Sequence, residues 1–380
     1  MQTYILFAIP FFLLMVALEI FYSLKEKKKF YRFNDTIANL CIGIGSEVTA
    51  LFFKLIIFGA YIYFYNNWSL FHIPATGWSF ILVLLLYDLC FYWAHRMLHS
   101  INILWGAHIV HHSSEEYNLS VALRQSWFES LLAFFVFIPI PLLGFDPIVF
   151  LPAAAFDSLY QFWIHTQTIK KMPKWYEKIF NTPSHHRVHH ARNPKYIDRN
   201  YGGILIIWDR LFGSFQKEEE APVFGITTPL NSWNPVWANL HYYKILWDKI
   251  NIIKHPAQKL QLLFKKPGWL PIENGGYQQP PKIAEIQIIK YDAKSSWQLH
   301  IYVFTQLLLT IAGLVAYMYY FEQLGLFYQV FIFGLIISSI VICCVVMENN
   351  PKNSKVSITD RRWGIPKTPF KRGRKSYGNQ

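Results

Sequence analysis

The chain has 380 residues, of which 53% are hydrophobic and 18% aromatic. Only 16% are charged, against ~25% in soluble domains, which excludes an ordinary soluble domain and fits a polytopic membrane protein with an aqueous part. The formal net charge of +13 sits in basic stretches beside apolar ones, the pattern of loops facing anionic lipid; with no nucleic-acid-binding motif, a nucleic-acid partner is excluded.

About 20 apolar residues cross a bilayer, and seven stretches qualify in chain order, near 4–24, 36–64, 78–97, 127–144, 146–165, 297–321 and 324–347. The first lacks a basic segment before it and is followed by Lys25, Lys27, Lys28, Lys29 and Arg32. That order predicts a retained span with its amino end outside. The second contains Glu47 and Lys54, so a tilted or re-entrant path is open. The fourth and fifth are separated only by the turn signal Gly144 to Pro147. The expected fold is therefore all-α. The segments 66–77, 144–147 and 322–324 carry no Lys or Arg, whereas 25–32, 95–126, 170–296 and 348–380 carry many. Alternating seven spans puts every basic loop on the cytoplasmic side. The expected organisation is an amino-terminal membrane region (1–77), a histidine-rich catalytic region (78–216), a cytosolic segment (217–296), a carboxy-terminal membrane hairpin (297–347) and a basic, lipid-attracted tail (348–380).

Ten of the fourteen histidines lie between His95 and His190. Most fall in three clusters: His95-x3-His99, His108-x2-His111-His112 and His185-His186-x2-His189-His190. Positions i, i+3 and i+4 share a helix face, so each cluster is expected to aim its rings at one point. Imidazole is the commonest protein metal ligand. Three such clusters, with His165 at the end of the fifth span, suit a site with more than four ligands; two close irons need roughly eight to ten donors. The four cysteines form no C-x-x-C pair, so nitrogen and oxygen must hold the metal. Glu115 and Glu116 are candidates to orient the rings, as is Asp88, seven residues before His95. Asp88 could equally partner a buried Arg or Tyr. His185 is either a ring-supporting residue or spare. His72, His241, His255 and His300 are expected at the surface and inert. No H-E-x-x-H occurs, so zinc proteolysis is not indicated.

The order H-x3-H, H-x2-H-H, H-x2-H-H on membrane spans resembles the fatty acid hydroxylase/sterol desaturase superfamily. His95 through His99, His108 through Ser114, Asn200-Tyr201-Gly202 and Trp208 through Gly213 carry the match. Further stretches extend it, among them Tyr117-Asn118-Leu119, Tyr160 through Thr166, Asn181 through His190 and Phe264 through Trp269. The resemblance implies a di-iron, O2-dependent lipid monooxygenase. Carried over, His95, His99, His108, His111, His112, His165, His186, His189 and His190 would be iron ligands, with Asn200 beside them. It further implies hydroxylation of the carbon next to the ether oxygen of an alkylglycerol, with tetrahydrobiopterin as reductant. The alternatives are a sterol or fatty-acyl hydroxylase or desaturase on the same scaffold, and a non-enzymatic metal transporter. No dinucleotide-binding fingerprint or haem-attachment motif is present, so electrons are expected from a pterin or a separate protein.

Overall fold

The computed structural model describes residues 2–280, 290–293 and 295–348, with side chains from residue 9 onward. The basic tail expected at 348–380 therefore lies almost wholly outside the described residues. Among the described residues the chain is helical, with isolated bridges and no strand. In order the helices are α1 (Gln2–Lys25), α2 (Phe33–Trp68), α3 (Gly77–Ser100), α4 (Asn102–His112), α5 (Leu119–Ala122), α6 (Glu129–Ala133), α7 (Pro139–Leu143), α8 (Pro147–Trp163), α9 (Lys174–Ile179), α10 (Pro183–His189), α11 (Ile207–Leu211), α12 (Pro235–Ile252), α13 (Pro256–Phe264), α14 (Trp297–Tyr320) and α15 (Leu326–Glu348).

Among the described residues four helices, α2, α3, α14 with the turn after it, and α15, are long and apolar enough to cross a membrane, which fits an integral membrane protein. The expected span at 127–144 is instead broken. Pro139 and Pro141 lack backbone N–H groups, and the segment divides into α6, a 3-10 turn at Phe134–Phe137 and α7. The next span is only the 17-residue α8, about 26 Å long at 1.5 Å per residue and short of a ~30 Å hydrocarbon core. The tip of this broken hairpin packs on the α2–α3 loop. Leu70 and Ile73 donate backbone N–H groups to Leu142 and Gly144. The two charge-poor loops thus share one end of the molecule.

At 36 residues, α2 is about 54 Å long, well beyond what a bilayer needs. Its upper part packs on α14 and α15 through Val48, Leu51, Leu307, Leu314, Ile340 and Cys344. Its lower part enters the polar layer below. There Asp35 accepts from Ser114 (2.8 Å) and Asn39 (3.0 Å), and Asn39 accepts from the fully buried Arg124. A thiol-lined contact of Cys41, Cys343 and Cys344 lies inside this apolar packing. The aqueous part is stitched on from several directions. Glu348 accepts from Ser232 and from the backbone N–H of Trp233 and Asn234. Asn102 donates to Leu262 O and accepts from Tyr242.

Local signals explain where the helices begin. Thr76 and Ser79 form a reciprocal cap on α3, Asp146 caps α8 ahead of Pro147, and Asn234 caps α12 ahead of Pro235. Gly144 ends α7 at φ +91°, and a Cβ there would sit 1.7 Å from the Phe71 carbonyl. Gly144→Ala should therefore cost roughly 2 kcal/mol or more, from a left-handed backbone and overpacking together. Gly59→Ala, with nothing within 4 Å of its Cβ, should cost nothing. Thermal unfolding of both variants in detergent tests this; equal melting temperatures would contradict the packed loop end.

Candidate metal centre

The lower end of α3 carries His95 and His99 one turn apart, and α4 runs back beneath it carrying His108, His111 and His112. The short α10, opened by Pro183, carries His186 and His189, with His190 capping its end. His165 follows α8. All nine are buried, none more than 6% exposed.

The rings do not gather cluster by cluster. His95, His99, His108, His112 and His189 form one group, and His111, His165, His186 and His190 a second; within each, one nitrogen per residue lies within 4.8 Å of the rest. Helical geometry explains the split. Residues i and i+4 differ by 40° around the axis, whereas i+3 lies 60° to the other side of i. So α4 sends His108 and His112 to the first group and His111 to the second, while α10 sends His186 and His190 to the second and His189 to the first. The groups adjoin, with His112 and His190 stacked at 4.4 Å between centroids.

The Nδ1 atoms set the tautomers. His95 donates to Tyr201 O (2.9 Å), His111 to Arg124 O (3.0 Å), His165 to Gln161 O (2.7 Å) and His189 to Arg199 O (2.9 Å). His108 donates to the Glu129 carboxylate (2.9 Å). The Nε2 atoms are then bare lone pairs, and they face one another: 3.0 Å for His95–His108 and 3.2 Å for His111–His165. Two lone pairs at that distance repel unless a cation lies beside both. Nitrogens at right angles, each ~2.1 Å from one ion, lie ~3.0 Å apart. The buried Nε2 atoms of His99 and His189 have no partner at all. The donor set therefore fits a metal of the kind imidazole holds, iron among them.

Burial, with neighbouring imidazoles adding to it, lowers the pKa of His112, His186 and His190 well below the usual histidine value, and that of His111 to about 4. These rings stay neutral and able to ligate through the physiological range.

The remaining expected site residues fall elsewhere. His185 is buried against Phe215 and belongs to neither group. Glu115 and Glu116 do not touch the rings; they pair with Arg32, and Glu116 also with Lys290. The two carboxylates point off the helix end toward the basic loop after α1. Asp88 does not bond a ring either. It accepts from the N–H groups of Ile204 and Leu205 and from Trp208, holding the loop whose Tyr201 carbonyl orients His95. Asn200, at φ 57°, donates to His185 O and Gln216 O and so ties α10 to that loop. His241 is buried, not at the surface, because α12 packs it inward with its Nδ1 on Ala238 O. Sequence reasoning missed Glu129, whose only signal was a carboxylate opening an apolar stretch. It also missed the carbonyl acceptors, which no side-chain pattern reveals.

A cavity of about 350 Å³ ends on His95, His108, His111, His165 and His186. It runs outward between Ile9, Phe12 and Leu13 of α1, Ile44 of α2, and Ile311 and Leu314 of α14. Its polar lining is Glu47 of α2 with Gln125, Glu129, Asp157, Ser158 and Gln161, of which Glu129 and Gln161 bond His108 and His165.

Residues 80–214 match the fatty acid hydroxylase family. The chain is similar to alkylglycerol monooxygenase of Homo sapiens, 38% identical over 313 residues, covering 81% of this chain and 70% of that one. It is 42% identical over 267 residues to alkylglycerol monooxygenase of Danio rerio, covering 70% and 59% respectively. A shorter match, 26% identical over 143 residues, covers 37% of this chain and 45% of lathosterol oxidase of Homo sapiens. No solved structure matches the chain.

Two outcomes follow from this geometry. Glu129→Gln should weaken metal binding ten- to one-hundred-fold, roughly, by loosening His108, whereas His185→Ala should leave bound metal unchanged; chelator competition followed by metal analysis reads both. In metal-free protein, the unfolded chain binds protons below the unperturbed value of ~6.5, while folded His111 stays neutral to about 4. Stability should be full above that upper value and fall as the pH drops through the window. A melting temperature independent of pH across it would contradict the buried cluster.

Proposed function

This chain belongs to the fatty acid hydroxylase family and is a membrane lipid monooxygenase that uses dioxygen, and from that premise we propose that its substrate is an ether lipid. The carbon next to the ether oxygen of an alkylglycerol is hydroxylated, and the resulting hemiacetal separates into an aldehyde and glycerol. His95, His99, His108, His112 and His189 would hold one iron, and His111, His165, His186 and His190 a second. When bound, the irons supply the activation of dioxygen. A tetrahydropterin supplies the reducing equivalents, with a separate donor protein as the alternative.

The observation that carries this reading is the polarity of the cavity. Its α1 and α14 sides are apolar, and the amide and carboxylate groups of Gln125, Glu129, Asp157 and Gln161 come from the segments that carry or bond the histidines. Such a gradient suits an amphiphile held with its hydroxyls at the reacting end and its chain toward the bilayer. The ether carbon lies at the junction of those two parts. A mid-chain acyl carbon would instead meet the polar lining. The buried Asp157 Oδ1, which has no partner among the described residues, is suited to accept from a glycerol hydroxyl. Glu129 and the backbone carbonyls hold the imidazole protons on Nδ1 and so keep the other nitrogens pointed at the reaction centre. The loop-charge pattern supports a cytoplasmic position for the histidines. Residues 78–216 would then be the catalytic region, carried between the membrane regions 1–77 and 297–347, with 217–296 as its cytosolic cover.

Purified protein supplied with a labelled alkylglycerol and a tetrahydropterin should release the aldehyde and contain about two irons per chain, given nine imidazole donors. Stoichiometric zinc without oxygen consumption would overturn the oxygenase chemistry at this site. Hydroxylated or desaturated sterol or acyl products with the ether intact would overturn the substrate. Asp157→Asn should raise KM for alkylglycerol several-fold with little change in bound iron.

A further inference from the structure

Hydroxylation of a C–H bond by dioxygen needs two electrons and two protons besides the oxygen. One oxygen atom enters the lipid and the other leaves as water. The lipid cavity is lined mainly by apolar side chains of α1, α2 and α14, which suit the lipid better than a polar reductant. A second cavity, of about 230 Å³, shares no residue with it. It is bounded by Lys29, Glu115, Glu116, Arg192, Phe224 and Lys290, all on loops of the polar layer.

This second cavity has the features of a built site. Arg192 is only 7% exposed. Its Nη1 donates to Ile226 O (3.1 Å), but its buried Nε has no partner. Glu115 and Glu116 are held in place by Arg32, by Lys290 and by the Tyr291 N–H. Lys29 has no carboxylate partner among the described residues. The cavity thus presents a guanidinium donor, fixed carboxylate acceptors and an aromatic side chain. Those are the complements of a ring carbonyl, ring N–H groups and a flat ring face. Its volume suits a small molecule and not a protein.

Phe224 connects this cavity to the histidines. Its ring stacks on Tyr117 at 4.8 Å between centroids and 14° between planes. Tyr117 is fully buried, with its O–H on Ile164 O (3.0 Å). Its ring in turn lies 5.8 Å from that of His165, at 25°, and 5.3 Å from that of His190. Three contacting rings therefore lead from a polar cavity to the second histidine group.

We propose that this cavity binds the soluble reductant, a two-electron heterocyclic donor of the tetrahydropterin class, and that Phe224 and Tyr117 carry its electrons to the group containing His165 and His190. The inference rests on the oxygenase reading above. A tetrahydropterin leaving as a dihydropterin gives up two electrons and two protons. With one O2 and one substrate C–H, these balance to one hydroxyl group and one water. Arg192 and the two glutamates are binding residues in this scheme, and Tyr117 is a positioning residue between donor and metal.

The test separates binding from electron delivery in the iron-loaded protein. Anaerobic titration with tetrahydrobiopterin, followed by protein fluorescence, should give a Kd that rises at least ten-fold in Arg192→Gln. In Tyr117→Leu the Kd should stay within two-fold of the parent. Its stopped-flow rate of metal reduction by the pterin should fall at least ten-fold, while reduction by dithionite is unaltered. Tyr117→Phe, which keeps the ring, should be reduced near the parent rate; should Tyr117→Leu fail to retain iron, Phe224→Leu is the substitute and the same ten-fold loss is expected. Unchanged pterin affinity in Arg192→Gln, or parental reduction rates in both leucine variants, would overturn the proposal. So would capture of phosphate-bearing lipid vesicles through Arg192 with no pterin affinity. Ether cleavage driven by dithionite in a protein that binds no pterin would sink this inference and leave the ether-lipid reading standing. Pterin binding through Arg192 without ether cleavage by any donor would do the reverse.

Discussion

Nine buried imidazoles with lone pairs turned toward one another form the constraint on which the rest of this structure depends. Without a cation, such an arrangement is repulsive, and burial removes the water that would otherwise relieve it. What keeps the rings in place is the other nitrogen of each pair. Tyr201, Arg124, Gln161 and Arg199 offer backbone carbonyls, and Glu129 a carboxylate, so the proton of each partnered ring is taken up on the far side. Much of the polar layer can be understood as the means of holding those acceptors still. Asp88 fixes the loop that carries Tyr201, and Asp209 accepts from the N–H groups of Tyr201 and Gly202 in the same loop. Arg124 is itself pinned through Val110 O, Ser113 and Asn39.

This explains why α2 extends beyond a bilayer. By reaching down into the polar layer, α2 supplies Asp35 and Asn39 to the network around Arg124 while its upper part packs on the carboxy-terminal hairpin. The membrane region and the metal centre therefore share structural elements instead of meeting at a linker. The broken hairpin formed by α6, α7 and α8 does similar work. It puts Glu129 beside His108 at its start and His165 at its end, and its tip seals against the α2–α3 loop.

Two cavities approach the centre with opposite character. One is mainly apolar toward α1, α2 and α14 and meets the rings at its other side; the other is lined by cations, carboxylates and one aromatic ring. That separation suits the proposed joining of a lipid, dioxygen and a water-soluble electron donor, because a single route could not be both oily and charged. The tight packing between them, with Tyr117 fully buried, keeps bulk water from the histidines.

Residue order alone determined the helical class, the carboxy-terminal hairpin, the three histidine clusters and a donor set without thiolate, because apolar run length, i, i+3, i+4 spacing and cysteine placement are local properties of the chain. It also carried the family likeness, through His95 to His99 and the two H-x2-H-H segments. Tertiary structure alone decided which ring joins which group. That choice depends on where the axes of α3, α4 and α10 cross, and the 100° step per residue then sends His111 and His189 away from their sequence neighbours. It likewise decided that Glu115 and Glu116 serve Arg32 and Lys290, that Asp88 holds a loop, and that His241 is buried. Each of these partners lies tens to hundreds of residues away, and contacts over such separations are set by packing, which no local pattern encodes.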